Sequence, residues 1–448
     1  MRRYPIVLAL ILLAAAEAPT PAAPAPAQPI PAGSLLQKSF RMEVSILHAP
    51  LPQTPPKAAL ARLLRKTEPL QLVDSLPADT PAVPVVFLDS HPSAAPWPMD
   101  EGELAQFGRG LSDTDKQGHR GCKAITVLTF AGPGRAALST YQRSLVLIAE
   151  LAKETGGIVW DSETRELFSQ AAWRKRSQDL TPNGLPSVMS QIKVDSYRKG
   201  QRRRRVTLGM RKFALPDVAI NEGVVSYIGM NRVIELVSQR FIEGSFPSAP
   251  GRFPVAIDDV IHPGARKALA SARGPGAKGR TELNLAIGKS ERGDPENSLV
   301  EIVFPGADQT PLERQGEMLR QLFGDLDRTG TLVHDEELAA ASARAKQTVL
   351  QYKPRYAEAR PLSGERLAVM VPFEMSSGRH EYMWVEVLRW EGSSIHGVLA
   401  NQPRDVPMLK AGARVNIQED AIFDYMLQKP DGSTEGNLTA SIIQRQQN

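Results

Sequence analysis

The residues whose types and spacing come nearest to a chemical site form a polar stretch from Asp325 to Glu336. Carboxylates stand at its first, third and twelfth positions (Asp325, Asp327 and Glu336), a hydroxyl at the fifth (Thr329) and a glycine at the sixth (Gly330). The same spacing occurs in the calcium loop of an EF-hand, in which oxygen ligands surround the ion and the glycine allows a sharp turn. The stretch therefore predicts a calcium site, and a calcium-responsive structural protein is one interpretation of the chain.

A second interpretation of this stretch is a polar connection between two helices. Thr329 stands where an acid or amide is usual, Gly324 replaces a flanking apolar residue, and no second EF-hand pattern is present to pair with this one. Asp335 would lie near the start of the following helix, where a negative charge is favourable beside the helix dipole. Calcium is the only cofactor that the sequence suggests, and no other is expected.

The densest basic run in the chain consists of Arg202, Arg203, Arg204 and Arg205. Arginine side chains match the geometry of phosphate groups, so the run predicts peripheral contact with a membrane surface. The alternative is a solvated loop or the entry to a strand, because the run lies where apolar periodicity lapses between two predicted units. No aromatic ladder accompanies the run, and nucleic acid is therefore not expected as a partner.

Patterns for enzymatic chemistry are incomplete in this sequence. The segment from Gly274 to Gly279 fits a dinucleotide-binding fingerprint, but it follows a predicted helix where that fold requires a strand. His380 and Glu381 begin like a zinc-protease motif, yet Trp384 stands in place of the second histidine. Since no nucleophile, base and orienting group stand at ordinary spacing, we expect no catalysis and retain an envelope-acting hydrolase as the alternative.

The first residues predict export from the cytoplasm. Arg2 and Arg3 precede an apolar run from Ile6 to Ala16, which is too short to span a bilayer and ends in small residues suited to cleavage. We predict a signal peptide at residues 1–18 and a periplasmic or secreted location; an uncleaved membrane anchor is the alternative. The net charge of +5 is mild for 448 residues and gives only weak attraction to anionic surfaces. Cys122 is the only cysteine, so no internal disulfide can form.

Composition and periodicity divide the remaining chain into a linker and three units. Residues 19–37 are rich in proline and alanine and predict an extended tether. Residues 38–180 and 190–352 alternate strand and helix patterns and predict two mixed α/β units, the second ending in a helical pair. Residues 360–448 carry short runs of β-branched and aromatic residues and predict a small, mostly antiparallel β-sheet or barrel. The predicted fold class is therefore α+β and multidomain.

Two helices are indicated by specific local signals. From Ala136 to Thr155, apolar residues recur at helical spacing, and Gly156 follows as a terminator. Thr310-Pro311-Leu312-Glu313 has the pattern of a capping box with proline at the first helical position, which predicts a helix start.

The last eighty or so residues carry ordered blocks of a known family. These blocks are Val371-Pro372-Phe373, Glu381 to Trp384, Trp390-Glu391-Gly392, Gly397 with Asn401 and Pro403, Phe423-Asp424-Tyr425, and Gly436-Asn437. From about Glu365 to Ile443 the chain resembles the bacterial family called domain of unknown function 2314. That family has no established activity and no accepted catalytic residues, so the resemblance implies a domain without implying a reaction.

Four polar residues of this region lie near predicted turns, namely Glu381, Asn401, Asp424 and Asn437. If the turns converge at one end of the sheet, these side chains form the rim of a ligand or partner site. Trp384 and Trp390 are large apolar groups that we expect to pack the core of the sheet. The sequence therefore predicts a non-catalytic binding or interaction protein of the cell envelope, whose partner is an unknown envelope protein or ligand.

Overall fold

The computed structural model describes much of the chain between residues 27 and 442. The described ranges are 27–65, 70–93, 99–199, 202–222, 227–274, 276–306, 310–324, 336–358, 361, 364–375, 380–400, 403, 406, 409–410, 412–430, 433–439 and 442. They contain three β-sheets with helices packed on them, which confirms the predicted α+β class. The predicted signal peptide lies outside these ranges. No helix within them is long and apolar enough to cross a membrane.

The first sheet and its helices occupy the N-terminal part of the described chain. Its strands are β1 (Ser39–His48), β2 (Gln71–Val73), β3 (Val85–Pro92), β4 (Gly108–Arg109), β5 (Ala124–Pro133), β6 (Ile158–Asp161) and β7 (Glu166–Phe168). They lie in the order β2-β3-β5-β1-β6-β7-β4. The helices are α1 (Pro56–Leu64), α2 (Glu101–Phe107), α3 (Asp113–Arg120), α4 (Ala137–Thr155), α5 (Gln170–Gln178) and α6 (Val188–Gln191). The centre is the antiparallel pair β1 and β5, which is the longest pairing of this sheet over the described residues.

The helix predicted from Ala136 to Thr155 is α4. Its buried face includes Tyr141, Leu145 and Ile148, each at most 2% exposed. These residues recur at intervals of three and four, so they form one stripe that packs into the core. The helix ends at Gly156, whose φ of 74° is readily adopted by glycine.

The second sheet combines a parallel pair with antiparallel neighbours. Its strands are β8 (Lys193–Lys199), β9 (Arg202–Leu208), β10 (Asp217–Glu222), β11 (Arg252–Ala256), β12 (Arg280–Ile287) and β13 (Leu299–Val303), in the order β11-β12-β13-β10-β9-β8. Over the part of this sheet that the structure describes, β10 and β13 are the one parallel pair. Its helices are α7 (Tyr227–Ile242), α8 (Pro263–Ala270) and α9 (Pro311–Phe323). The predicted capping box is present at the start of α9.

The first two sheets share one hydrophobic core. A single cluster of buried residues extends from Phe40 in β1 to Phe323 in α9. The connection between β9 and β10, residues 209–216, lies in the middle of it and contains a short 3₁₀ helix, Met210–Phe213. The ring of Phe213 meets that of Tyr141 edge-on at 4.9 Å between centroids. The division of this part into two separately folding units stays a prediction.

The segment just before β1 pairs with the second sheet. We call Gln28–Ile30 the N-terminal strap. Ile30 N donates to Leu285 O (3.2 Å), and Ile287 N donates to Gln28 O (2.8 Å), so the strap lies beside the end of β12. The Ile30 side chain is 2% exposed and belongs to the common core. Residues that the sequence analysis placed in the linker therefore form part of the packed structure.

Replacing Ile30 with alanine should lower the free energy of unfolding by about 2–5 kcal/mol, because it removes a buried side chain from a packed core. The matched control is Leu36→Ala, since Leu36 is 41% exposed; its effect should stay below about 1 kcal/mol. Urea-induced unfolding followed by circular dichroism measures both. Equal losses for the two variants would show that the strap does not stabilise the second sheet.

The third sheet is entirely antiparallel and open. Its strands are β14 (Arg366–Glu374), β15 (His380–Glu391), β16 (Ser394–Leu399), β17 (Arg414–Gln418), β18 (Asp424–Gln428) and β19 (Thr434–Gly436), in the order β17-β16-β15-β14-β18-β19. Over the described residues its edge strands, β17 and β19, do not pair with each other. Of the two predicted forms, sheet or barrel, the structure therefore has the sheet.

Two further helices pack on the third sheet. They are α10 (Glu336–Val349) and α11 (Lys353–Ala357). Ala345, Val349 and Tyr356 share a buried cluster with residues of the third sheet, whereas Phe323 of α9 belongs to the core of the first two sheets. The sequence analysis placed both α9 and α10 at the end of the second unit, but they pack on different sheets.

Candidate functional site

Two of the four predicted rim residues meet at one turn of the third sheet. Asp424, at the start of β18, is fully buried. Its Oδ1 accepts hydrogen bonds from the backbone N of Tyr425 (2.7 Å) and Leu438 (3.2 Å), and its Oδ2 from the backbone N (2.8 Å) and Oγ1 (2.6 Å) of Thr439. Asn437 has an exposed side chain and a φ of 56°. The carboxylate of Asp424 therefore fastens the turn after β19. Burial raises its pKa, against the effect of these hydrogen bonds.

A third predicted rim residue, Glu381, lies away from that turn. Glu381 is buried in β15, in register with Phe373 of β14. Glu381 belongs to β15 and Asp424 to β18, and β14 lies between these two strands. The two residues are therefore on opposite sides of β14. Asn401 lies outside the described residues. The rim site stays a prediction.

Most of the predicted calcium loop, residues 325–335, lies outside the described residues. Asp325, Asp327 and Thr329 are not described, and of Glu336 only the backbone is described, as the first residue of α10. The preceding helix ends at Phe323, as the prediction of flanking helices requires. Within the described ranges no group of three or more His, Cys, Asp or Glu residues is placed to hold a metal ion. Calcium binding stays a prediction.

The arginine run is a strand rather than a loop. Residues 202–208 form β9, and Arg204 and Arg205 are each 1% exposed. Arg204 Nε and Nη2 donate to Asp294 Oδ2 at 3.1 and 2.9 Å. Arg205 donates to Asn231 in α7. The guanidinium groups of two of the four predicted membrane-contacting residues thus lie inside the protein, and membrane contact stays a prediction.

Arg203 connects the second and third sheets. Its Nη2 donates to Glu386 Oε1 in β15 at 2.8 Å. Nearby, Arg366 Nη2 of β14 donates to Ser196 Oγ of β8 at 2.6 Å. These contacts join β8 and β9 to β14 and β15, so the arginine run forms an interface between two parts of the chain.

A buried polar joint links the first and second sheets. We define it as Asp161, Arg176, Gln191 and Lys212. Lys212 Nζ donates to Asp161 Oδ2 (2.9 Å) and to Gln191 O (2.6 Å). Arg176 Nη1 lies 2.8 Å from the same Asp161 oxygen, and Arg176 Nη2 donates to Gln191 O at 2.7 Å. The Asp161 and Lys212 side chains are 0% exposed.

The charges of the joint shift its pKa values. Burial by itself would raise the pKa of Asp161, but Lys212 and Arg176 outweigh this effect and hold the pKa at about 2. Burial and the charge of Arg176 lower the pKa of Lys212, against the attraction of Asp161. The hydrogen bonds of Lys212 and Arg176 are directed at the other members of the joint, so the joint has the character of a structural ion pair.

Asp217 makes the stability of the second sheet dependent on pH. It is fully buried, and Thr207 Oγ1 (2.6 Å) and Asn297 Nδ2 (2.8 Å) donate to it. Burial raises its pKa from 3.8 to about 6 despite these bonds. The folded protein therefore binds this proton more tightly than the unfolded chain. The resulting stabilisation is complete below about pH 4 and is lost as pH rises through about 6.

We expect the free energy of unfolding of the wild type, relative to Asp217→Asn, to rise as pH falls from 7.5 to 4.5, by up to about 3 kcal/mol. Taking the difference between the two proteins cancels the contributions of other titrating groups. Urea titrations at half-unit pH intervals measure it. A difference that stays constant or falls over this range would contradict the raised pKa.

A cleft of about 330 Å³ opens on the second sheet where the chain leaves β13 for α9. Its lining comes from the first half of β12, the end of β13 with the residues after it, and one face of α9. The polar lining residues are Thr281, Glu282, Asn284, Arg314, Glu317 and Gln321. Leu283, Ile302 and Met318 contribute apolar surface. The cleft thus combines an apolar wall with charged and amide groups, as ligand sites do.

Hydrogen bonds to β10 and to β12 hold α9 over the second sheet. Gln315, which is 1% exposed, donates through Nε2 to Asn221 O of β10 at 3.1 Å. Thr281 Oγ1 of β12 donates to Gln321 Oε1 at 2.6 Å. Arg314 Nη1 donates to Pro305 O, the carbonyl of the segment that leaves the sheet. The walls of the cleft are therefore connected to one another.

The charged groups of the cleft include both signs. Arg314 supplies a guanidinium from the first turn of α9, and Glu317 supplies a carboxylate one turn later. Glu282 is exposed on β12, and its Oε1 accepts a hydrogen bond from Arg252 Nε at 2.9 Å. A ligand that carries both an anionic and a cationic group would find complementary charges here.

Sequence reasoning identified the elements around the cleft but not the cleft. The alternation of strand and helix patterns over residues 190–352 and the capping box of α9 are visible in the sequence. The polar residues at Glu282, Asn284 and Glu317 look like ordinary solvent-facing positions. The cleft depends on where β13 stops beside β12, and no local sequence signal specifies that register.

Comparison with known proteins identifies the C-terminal region alone. Residues 335–447 match the model of the family described as an uncharacterized protein conserved in bacteria, domain of unknown function 2314 (DUF2314). This range includes α10 and α11 as well as the third sheet, so the matched region contains the helices that complete its core. No curated protein and no solved structure matches the chain.

Proposed function

We propose that this protein is a non-catalytic binding protein of the bacterial cell envelope, and that it holds a small polar ligand in the cleft between β12, β13 and α9. The observation that carries the proposal is the cleft: about 330 Å³, within the range of roughly 300–1,000 Å³ typical of small-molecule sites. It lies beyond the carboxyl end of β13, one of the two parallel strands. In open α/β sheets, ligands bind outside the carboxyl ends of such strands.

The composition of the lining favours binding over catalysis. Among the described residues, the lining contains no cysteine, histidine or serine, and the hydroxyl of Thr281 donates its proton to Gln321. Covalent catalysis needs a nucleophile beside a base. An arrangement of guanidinium, carboxylate and amide groups instead suits recognition by charge and hydrogen bonding.

The binding proposal can be tested with a panel of polar compounds. We expect at least one class among free amino acids, tripeptides, amino sugars and sugar phosphates to raise the Tm of the full-length protein. Arg314→Ala should abolish the rise, while Arg320→Ala should retain it, because Arg320 is an exposed residue of the same helix outside the cleft lining. A rise that survives Arg314→Ala, or the absence of any rise in the wild type, would contradict the proposal.

The proposed location rests on the signal-like pattern of Arg2, Arg3 and the apolar run that follows. Expression of the full-length chain in a Gram-negative bacterium, followed by cell fractionation and N-terminal sequencing, tests it. We expect the protein in the envelope fraction with its N-terminus removed between residues 14 and 20. Recovery in the cytoplasmic fraction with Met1 intact would contradict export.

A further inference from the structure

The two edges of β12 are occupied to different extents. On one side, β11 pairs from Ala256↔Arg280 to Arg252↔Asn284, and the N-terminal strap continues along the same edge. On the other side, β13 pairs only from Asn284↔Val303 onwards. Among the described residues, no strand pairs with Thr281–Leu283 on that side. Leu285 N donates to Gly251 O, and Leu285 O accepts from Ile30 N, so the odd-numbered residues of β12 direct their backbone groups to β11 and the strap. Within Thr281–Leu283 the backbone N–H and C=O of Glu282 therefore face the cleft.

The gap beside Thr281–Leu283 has defined ends. At one end, Gln321 O accepts from Lys278 N (2.9 Å) and Gly279 N (3.0 Å), which fixes the end of α9 against the start of β12. At the other end is Val303, the last residue of β13. Three residues of extended chain span about 10 Å. This length and the space of about 330 Å³ suit a di- or tripeptide.

We infer that the ligand of the cleft is a short extended peptide that lies beside Thr281–Leu283 and continues the line of β13. This inference rests on the proposed binding function and names its ligand class. Backbone groups of the peptide pair with the edge of β12, as in other complexes formed by strand addition. Arg314, in the first turn of α9, receives the C-terminal carboxylate. Leu283, Ile302 and Met318 contact small apolar side chains.

The backbone pairing is tested with full-length protein and a pooled library of synthetic tripeptides. The peptide that raises the Tm most is taken into isothermal titration calorimetry beside the same sequence with N-methylated amides. N-methylation removes the donors that strand pairing needs, so we expect affinity to fall at least tenfold. Equal affinity for the methylated and unmethylated peptides would overturn the inference.

A double-mutant cycle tests the carboxylate contact. Its two changes are amidation of the peptide C-terminus and the substitution Arg314→Ala. In the wild type, converting the C-terminal carboxylate to an amide should weaken binding about tenfold or more, because a charged hydrogen bond is lost. In Arg314→Ala the same conversion should change affinity less than threefold. The Arg320→Ala protein should behave like the wild type. A full amide effect in Arg314→Ala would overturn the assignment of Arg314.

The outcomes separate this inference from the proposed function. If an amino sugar or sugar phosphate binds in an Arg314-dependent manner and no tripeptide does, the peptide inference is wrong and the binding function stands. If no class in the panel binds, both are wrong. If a tripeptide binds but the methylated form binds equally, the inference of a peptide paired with β12 is wrong and the binding function stands.

Discussion

Replacing Asp161 with alanine should lower the free energy of unfolding by about 3–5 kcal/mol, the cost typical of breaking a buried ion pair by removing one partner. The substitution leaves the charges of Lys212 and Arg176 in the core, 0% and 3% exposed, without the carboxylate that both contact. The same carboxylate accepts the backbone N of Glu163 at 3.0 Å. Because the joint links two sheets, we expect them to lose stability together.

An exposed pair of the same chemistry provides the control. Lys57 Nζ lies 2.8 Å from Asp74 Oδ1, and the two side chains are 59% and 93% exposed. Surface pairs of this kind contribute up to about 1 kcal/mol, so Asp74→Ala should have little effect. Urea-induced unfolding measures both variants. If Asp161→Ala and Asp74→Ala are equally stable, the buried joint does not hold the sheets together.

Replacing Trp390 with alanine should lower the free energy of unfolding by about 3–5 kcal/mol, because it empties the centre of the third sheet. Trp390 is 0% exposed, and its Nε1 donates to Glu419 Oε2 at 2.9 Å. Lys353 Nζ lies 5.7 Å from the centre of its ring and also pairs with Glu419. The substitution therefore removes packing and a hydrogen bond at once.

A conservative variant separates the two contributions. Trp390→Phe keeps most of the apolar volume and loses the N–H group, so we expect a loss of about 0.5–1.5 kcal/mol, the net contribution of one hydrogen bond, because Glu419 keeps Lys353 as a partner. Far-UV circular dichroism during urea titration measures both variants. Losses of the same size for alanine and phenylalanine would mean that the hydrogen bond, not packing, accounts for the effect.

Elements with apolar periodicity and local capping signals were predictable from the sequence. The helix α4 has an apolar stripe and a terminal glycine, and α9 begins with a capping box; both form as the sequence predicts. These signals are local, since each depends on residues within a few turns of one another. Trp390 likewise packs the core of its sheet, as its size and apolarity predict.

The burial of the arginine run was not predictable from local signals of this kind. Hydropathy treats Arg204 and Arg205 as solvent-facing, yet both are buried in β9. Their burial depends on partners elsewhere in the chain, and Asp294, which pairs with Arg204, lies 90 residues away. A sequence without its fold does not show which carboxylate will meet which guanidinium. The sequence analysis therefore placed a boundary where the structure has a strand.

The cleft could not be predicted from the sequence, because it too depends on how distant segments pair. The predicted rim relied on turns of the third sheet converging, but the order of the strands places β14 between Glu381 and Asp424. The cleft, by contrast, arises because β13 ends at Val303 while β12 continues beside it to Arg280. Relative strand ends are a property of register between distant segments, which residue types alone do not specify.

The N-terminal strap also constrains the order in which the molecule can fold. Gln28 and Ile30 bond to residues of β12 that follow about 255 positions later in the chain. Closing a loop costs entropy that grows with the logarithm of its length, and contacts of such high sequence separation form slowly. A chain that emerges N-terminus first holds its strap without a partner until β12 has followed. From the time β12 forms until the strap pairs with it, this end of β12 has an exposed strand edge, which is where an incompletely folded molecule would be most prone to associate with another copy.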